Sequence, residues 1–224
     1  MNVSGALKVS TRSGKVRVRA VPGSELVVDD GVVEHGEDGV IRIHRAQGSE
    51  KIDVQCAPDT DVVIGTGSGS VETTGRLGAV SVATMSGKIR VEEATRVDAR
   101  TKSGSVAVEH CDEECRIVVV SGKVHVKEAG SVEIAAVSGT VSADYVRDGR
   151  VKTISGKVHV GTTGAGNVAV KSVSGTVDVE VPPEQRPSTR LKSVSGRVRR
   201  DCEEGNDGQI SVATVSGTIR VSCR

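Results

Sequence analysis

A Ser-Gly pair recurs along the chain at a short, nearly constant spacing, and this repeat limits the possible folds more than any other feature. From Ser86 onward half of the eight copies read Ser-Gly-x-Val-x-Val and the others are close variants of that phrase, and successive serines lie 17 to 21 residues apart. The repeated serines are Ser86, Ser103, Ser121, Ser138, Ser155, Ser174, Ser195 and Ser216, with earlier copies at Ser68 and Ser13. Such a period is typical of a solenoid, in which each repeat buries its apolar face against its neighbours.

The residues around each serine keep their character from repeat to repeat. If the serine is position 0, positions −6, −4 and −2 are apolar or small, and positions +3 and +5 are mostly Val or Ile. Position −1 is also mostly apolar and shares the parity of +3 and +5. Side chains alternate between the two faces of a strand. The change of parity therefore predicts a corner just before each serine, with position −1 facing inward and the glycine at a close approach of two walls.

These columns predict an all-β fold, a single-stranded parallel β-solenoid of about nine rungs. Residues 1–66 lack the regular phrase and read as short alternating strands between Gly-, Pro- and Asp-rich turns. We expect this segment to form an N-terminal β-meander or sandwich cap, and residues 67–224 to form the Ser-Gly solenoid. No cap follows the last repeat, so its edge should be open. That open edge predicts pairing of two copies through the C-terminal rung, most simply as a homodimer.

Composition narrows the classes of function. The chain has no Phe, no Trp and one Tyr, so Val, Ile, Ala and Thr must build the core. Without aromatic side chains it lacks the usual platforms for stacking nucleobases, which does not favour nucleic acid as a partner. The formal net charge is +1. We find no signal peptide and no transmembrane segment in the sequence, and an odd number of cysteines is not a disulfide framework. We therefore expect a cytoplasmic protein.

The Ser-Gly phrase, preceded by an irregular β segment that ends in CAPDTDVVIGTGSGSVE, resembles a bacterial β-strand-repeat family labelled "putative adhesin". That resemblance implies a binding role at a surface or envelope. The period and the Val-rich rungs are also similar in architecture to bactofilins, which are self-assembling cytoskeletal β-helices.

One outward-facing pattern is a candidate binding surface. Position +2 alternates strictly between basic and small residues, and position +4 carries Arg or His on the same alternate rungs. This predicted basic face comprises Lys88, Arg90, Lys123, His125, Lys157, His159, Arg197 and Arg199. It suits a protein partner or an anionic polymer, although spacing like charges apart for solubility would produce the same pattern.

Other motifs favour structure over chemistry. GTGSGS at 65–70 lacks the following helix that a phosphate loop needs. Cys111 and Cys115 align with small inward positions, so we expect buried thiols rather than zinc ligands. Cys202 and Cys223 should stack on adjacent rungs, where the reduced pair is favoured in a cytoplasm.

Clusters of acidic residues lie in the connecting loops, but they are not paired with other residues in a pattern typical of a catalytic site. We therefore expect no catalytic residues, no metal and no cofactor. The sequence favours a non-catalytic, adhesin-like binding or scaffolding protein. A bactofilin-like self-assembling scaffold is the alternative, and a β-helix enzyme acting on polysaccharide is the third.

Overall fold

The structure is a computed structural model, and it describes residues 6–23, 25–29, 31–36, 40–45, 51–164 and 166–223. All regular secondary structure in these ranges is β. The strands are β1 (Leu7–Ala20), β2 (Val27–Asp29), β3 (Gly31–His35), β4 (Ile41–Arg45), β5 (Lys51–Cys56), β6 (Val62–Thr162), β7 (Asn167–Val181), β8 (Ser188–Asp201) and β9 (Gln209–Cys223). Strand β6 is a continuous run of β-structure that contains several repeats. The prediction of an all-β chain is confirmed, and most of the strand pairing is parallel.

The chain divides into two compact units, residues 1–112 and residues 113–224. The predicted division into a β cap module at residues 1–66 and a Ser-Gly solenoid at residues 67–224 stays a prediction.

In the first unit, β1 lies inside the ladder and is not part of a separate cap. It pairs in parallel with the start of β6, where Ser13 lies opposite Ser68. Its other edge pairs in parallel with β4 and β5. Among the strands that the structure describes, only β2 and β3 run antiparallel to their neighbours. The expectation of a cap formed by all of residues 1–66 is therefore wrong for β1, because the Ser13 copy of the repeat takes the same register as the later copies.

In the second unit, the order of the strands differs from their order in the sequence. Strand β7 pairs with β6 on one edge and with β9 on the other, and β8 pairs with β9. The serines follow the order Ser155, Ser174, Ser216, Ser195 across this part of the sheet. The final repeat of the sequence is thus an interior strand, and β8 is terminal in the order. The predicted open C-terminal rung is wrong, because the long connection after β7 leaves room for β9 to return between β7 and β8.

The predicted inward columns form the core. Positions −4, +3 and +5 are buried in nearly all repeats within the described residues. Examples at position +3 are Ile89, Val106, Val124, Val141, Val158, Val177 and Ile219, each exposed by 2% or less. Burying one such side chain contributes about 1.5–3 kcal/mol relative to leaving it exposed. The exception is β8, whose Val198 is 46% exposed.

The corner lies one step later than the sequence analysis predicts. Position −1 faces outward, not inward: Ile154, for example, is 53% exposed. The change of parity occurs at the Ser-Gly pair itself, where Gly156 has a φ of 133°. The buried hydroxyl of Thr153 donates a hydrogen bond of 3.2 Å to the carbonyl oxygen of Ser155 and so closes the turn. A positive φ at glycine bends the chain within two residues, which the side-chain pattern alone did not reveal.

The glycines of successive repeats stack closely in each unit. A Cβ built on Gly139 would collide with the carbonyl oxygen of Gly122, and one built on Gly217 would collide with that of Gly175. This agrees with the predicted close approach at the glycine column, although the contact is made to the glycine of the neighbouring strand and not to a facing wall. Gly196 of β8 likewise stacks on Gly217 of β9, which agrees with the strand order given by the hydrogen bonds.

Cys202 and Cys223 form a disulfide with a Cα–Cα distance of 5.3 Å. The predicted stacking of the two residues is correct, but the expectation of a reduced pair is not what the structure contains. Adjacent parallel strands hold the two Cα atoms within the usual range for a disulfide. The bond connects the end of β9 to the residue that follows β8.

Candidate binding surface

The predicted basic face is built by the second half of each repeat. Positions +2 and +4 alternate with the buried residues at +3 and +5, so the strand pleat points them away from the core. In the first unit this places Lys88 and Arg90 at the surface. In the second unit it exposes Lys123, His125, Lys157, Arg197 and Arg199, with His159 partly covered. The outward orientation of these residues is as the sequence predicts.

Three of the four basic-face residues at position +4 lie close to a carboxylate on a neighbouring repeat, and within the described residues Arg199 does not. Arg90 lies 3.3 Å from Glu109. His125 lies 3.7 Å from Asp144. His159 lies 3.9 Å from Glu180. In each pair the acid is at position +6 of the following repeat. These groups are partly exposed, so each pair contributes about 0–1 kcal/mol to stability. Their main consequence is that Arg90, His125 and His159 are each less available to an anionic partner than an unpaired cation would be.

The cations at position +2 differ in this respect. Lys88, Lys123, Lys157 and Arg197 are all exposed, and within the described ranges none of them forms an ion pair. Together with Arg199, five of the eight residues of the predicted basic face therefore have no ion-pair partner among the described residues. On the terminal strand, Arg197 and Arg199 line an open concavity of about 550 Å³ together with Arg220. Arg220 also lies 3.9 Å from Asp178.

A second surface feature, which the sequence analysis missed, is a column of exposed apolar side chains at position −1. In the second unit these side chains are 43% to 83% exposed. They follow the strand order as Val120, Val137, Ile154, Val173, Val215 and Val194. Strand spacing in a sheet is about 4.8 Å, so the six residues form a row of about 24 Å. Isolated exposed valines are ordinary, but a contiguous row of them is typical of an interaction surface.

The apolar column lies within a strip of one sign of charge. We call positions −3 to +2 of all the repeats the corner band. Its charged residues are Arg12, Lys15, Lys88, Arg100, Lys102, Lys123, Lys152, Lys157, Lys171, Lys192 and Arg197, and the band contains no Asp or Glu. The whole chain has 30 basic and 29 acidic residues. Charge is therefore segregated, and the signal for this surface was readable in the sequence once the repeats were aligned.

The acidic clusters in the connecting segments take part in structural pairs. In the first unit, Arg76 contacts three carboxylates. They are Asp59 at 3.1 Å, Glu93 at 3.0 Å and Asp112 at 2.8 Å. The hydrogen bonds to Glu93 and Asp59 raise the pKa of Arg76 above its ordinary value. Acidic residues at this edge thus hold successive repeats together through one guanidinium fork.

The remaining motifs have structural roles. Residues 65–70 lie within β6 and pair with β1, as the structural interpretation of GTGSGS predicts. Cys111 and Cys115 are buried, as predicted from their alignment with small inward positions. Among the described residues no group of three or more His, Cys, Asp or Glu side chains could hold a metal ion. Nor does the described part of the chain contain a helix with the length and apolar character needed to cross a membrane.

Comparison with known proteins gives one family and two structures to which the chain is similar. The sequence profile of the family described as Toastrack DUF4097 matches residues 2–222. The chain is similar to a crystal structure of a "putative adhesin" (BF0245) from Bacteroides fragilis NCTC 9343. The identity is 11%, the match covers 97% of this chain and 91% of that chain, and the TM-score is 0.35. It is also similar to a "putative cell adhesion protein" from Clostridium sporogenes ATCC 15579. The identity is 13%, the match covers 98% of this chain and 92% of that chain, and the TM-score is 0.23.

No curated protein matches the chain. The resemblance to a bacterial β-strand-repeat family is confirmed by the family match over residues 2–222.

Proposed function

The chain belongs to the Toastrack DUF4097 family, and we propose that it is a non-catalytic, adhesin-like binding protein. We further propose that its parallel strands form a β-solenoid of about nine Ser-Gly rungs, whose outer surface contacts the partner. The in-register pairing of Ser155, Ser174, Ser216 and Ser195 supports this arrangement in the second unit.

The observation that carries the proposal is the column of exposed cations at position +2. The strict alternation expected from the sequence ends at β7, because Thr176 and Thr218 are neighbours in the sheet and both lie between Lys157 and Arg197. Lys123 and Lys157 project from the same position of their repeats, with the small residue Thr140 between them. An extended partner can contact such an array at several equivalent points, and each contact adds to the avidity of the others. The predicted basic face is retained in this proposal, with the +2 cations as its main contributors and Arg90, His125 and His159, which lie beside carboxylates, as minor ones.

Self-assembly like that of a bactofilin stays an alternative. Homodimer formation through the C-terminal rung has less structural support, because β9 is interior. The terminal strand β8 carries Arg190, Lys192, Arg197, Arg199 and Arg200. Pairing two copies edge to edge through β8 would bring like charges together, which destabilises cross-strand contacts.

The predicted cytoplasmic location also stays a prediction, and the disulfide offers a check on it. Disulfides persist in oxidising compartments and are rare in the cytoplasm. Mass spectrometry of alkylated protein taken directly from cells would show whether Cys202 and Cys223 are joined. A reduced pair agrees with the cytoplasm, and a joined pair with an oxidising compartment.

A surface-binding assay combined with a cleavage assay tests the proposed function. The purified full chain is passed over immobilised anionic polysaccharide, polyglutamate, an anionic bilayer and neutral counterparts, while reducing-end release is followed on the polysaccharide. We expect saturable, salt-sensitive binding to an anionic surface and no cleavage. Absence of binding to every surface would contradict the binding role, and polysaccharide cleavage would contradict the non-catalytic role.

A further inference from the structure

The corner band of the second unit combines an apolar row with cations on both of its sides. On one side, position −3 supplies Lys152, Lys171 and Lys192, and on the other, position +2 supplies Lys123, Lys157 and Arg197. All six are exposed, and none forms an ion pair within the described residues. The row between them consists of the six exposed valine and isoleucine side chains at position −1.

The composition of the band bears on what kind of partner it fits. Cores of protein–protein interfaces are enriched in aromatic residues and Arg and depleted of Lys. This band has five lysines and one arginine among its six cations, and the chain has no Phe or Trp. Lysine is a flexible point charge without the bidentate geometry of arginine, so it suits a diffuse negative surface better than one fixed carboxylate.

The exposed apolar row favours a membrane over a soluble polyanion as the partner. A polysaccharide or nucleic acid would satisfy the lysines and leave the row of Val and Ile in water. The surface of a bilayer offers anionic headgroups and, directly beneath them, hydrocarbon. Lysine stems can lie along apolar surface while their ammonium groups reach the headgroups.

We propose that the corner band of residues 113–224 docks on a bilayer that carries anionic headgroups. The six cations contact headgroup phosphates, and the row from Val120 to Val194 enters the headgroup layer. This inference rests on the proposed binding function and names its partner. Since Val and Ile are smaller than the Trp and Phe of deeply inserted surfaces, the contact is shallow, reversible and sensitive to salt.

Vesicle flotation of the full chain tests the inference. We use phosphatidylcholine vesicles with and without phosphatidylglycerol, at low and high ionic strength. Wild type should float with the anionic vesicles at low salt and should not float with the neutral ones. Equal binding to both kinds of vesicle, or to neither, overturns the proposal.

Two charge-reversal variants provide a matched pair. K152E/K192E changes position −3, which lies inside the band. R150E/R190E changes position −5, which also faces outward and lies two residues earlier in the same repeats. Because each lysine close to an anionic surface adds roughly a fivefold factor in partitioning, K152E/K192E should lower the partition coefficient at least about tenfold. R150E/R190E should lower it less than about threefold, since its charges lie outside the contact. Equal losses in the two variants would contradict the assigned surface.

An apolar variant distinguishes a bilayer from a soluble polyanion. I154S/V173S keeps every charge and alters only exposed positions, so it should fold like wild type. It should bind anionic vesicles about threefold to tenfold less well, because it removes apolar contact with the headgroup layer. Its retention on polyglutamate should not change. If wild type binds polyglutamate but not vesicles, the membrane inference fails and the binding function stands. If it binds neither these nor any other anionic surface, both fail. Should a variant misfold, the wild-type comparison of anionic and neutral vesicles still decides.

Discussion

Strands β8 and β9 carry almost the same phrase, VSGRVRR and VSGTIRV, yet their environments differ sharply. In β9, Ile219 and Val221 are fully buried. At the equivalent positions of β8, Val198 is 46% exposed and Arg200 replaces the valine. The difference comes from order in the sheet, because β9 has a neighbour on both edges and β8 is terminal. The repeated phrase is enough to form a strand in both places, but the burial of its side chains depends on where the strand lies in the sheet.

The largest expected effect contrasts the two strands at position +3. Ile219→Asp should destabilise the protein by about 4 kcal/mol, because it puts an unpaired charge where a packed side chain lies between two strands. Val198→Asp should cost less than about 1 kcal/mol, since the site is already open to water. Urea denaturation of both variants measures the difference in the free energy of unfolding. Equal losses of stability would show that burial at position +3 does not differ between β8 and β9.

Removing the disulfide should act mainly on the terminal strand. C202S/C223S releases a loop closed by a sequence separation of 21 residues, and loops of that size correspond to about 3 kcal/mol of stabilisation. Hydrogen exchange should show the larger loss of protection in β8, which has only one paired edge in the sheet order, and a smaller loss in β9. Faster exchange in β9 than in β8 would be inconsistent with the interior position of β9.

The glycine column gives a smaller effect with an internal control. Gly217→Ala in β9 should cost about 2 kcal/mol, because φ is 147° and the added Cβ would collide with the carbonyl oxygen of Gly175. Gly149→Ala in β6 should change stability by less than about 0.5 kcal/mol, as its Cβ would meet Val168 at an ordinary 3.8 Å. Thermal melts that show no difference between these variants would refute the stacking of β9 on β7.

The smallest effect concerns the start of β7, the interior neighbour of β9. The backbone N–H of Asn167 donates a hydrogen bond of 3.0 Å to Asp148, and this bond lowers the pKa of Asp148 below its ordinary value of 3.8. The associated stability is present above that value and is lost as the pH falls through the lower, folded-state pKa. Because the carboxylate is partly exposed, Asp148→Asn should cost below about 1 kcal/mol at pH 7 and a smaller amount at pH 2. An equal cost at both pH values would assign the effect to packing.

Much of the fold follows from the sequence for a simple physical reason. A repeat that buries the same face in every copy leaves the same columns of Val and Ile, so the parallel register and the core could be predicted. The outward direction of Lys123 and Lys157 follows from the same alternation.

Two of the features that escaped prediction did so for different reasons. Position −1 was assigned to the interior because a pattern of side chains does not show a bend made by one glycine with positive φ. The order β7, β9, β8 depends on long connections, which pattern analysis does not trace. Arg200, a charge at position +5 where every other repeat from Ser86 onward has Val or Ala, was nevertheless a sign that β8 has an open side.

The strand order is tested most directly by cysteine cross-linking at position +2. Thr176 pairs with Thr218, and Thr218 pairs with Arg197, so Thr176 and Arg197 are two strand spacings apart. Under mild oxidation, T176C/T218C should form a disulfide detectable by mass spectrometry, and T176C/R197C should not. The reverse result, with T176C/R197C cross-linked and T176C/T218C not, would place β8 between β7 and β9 and contradict the account.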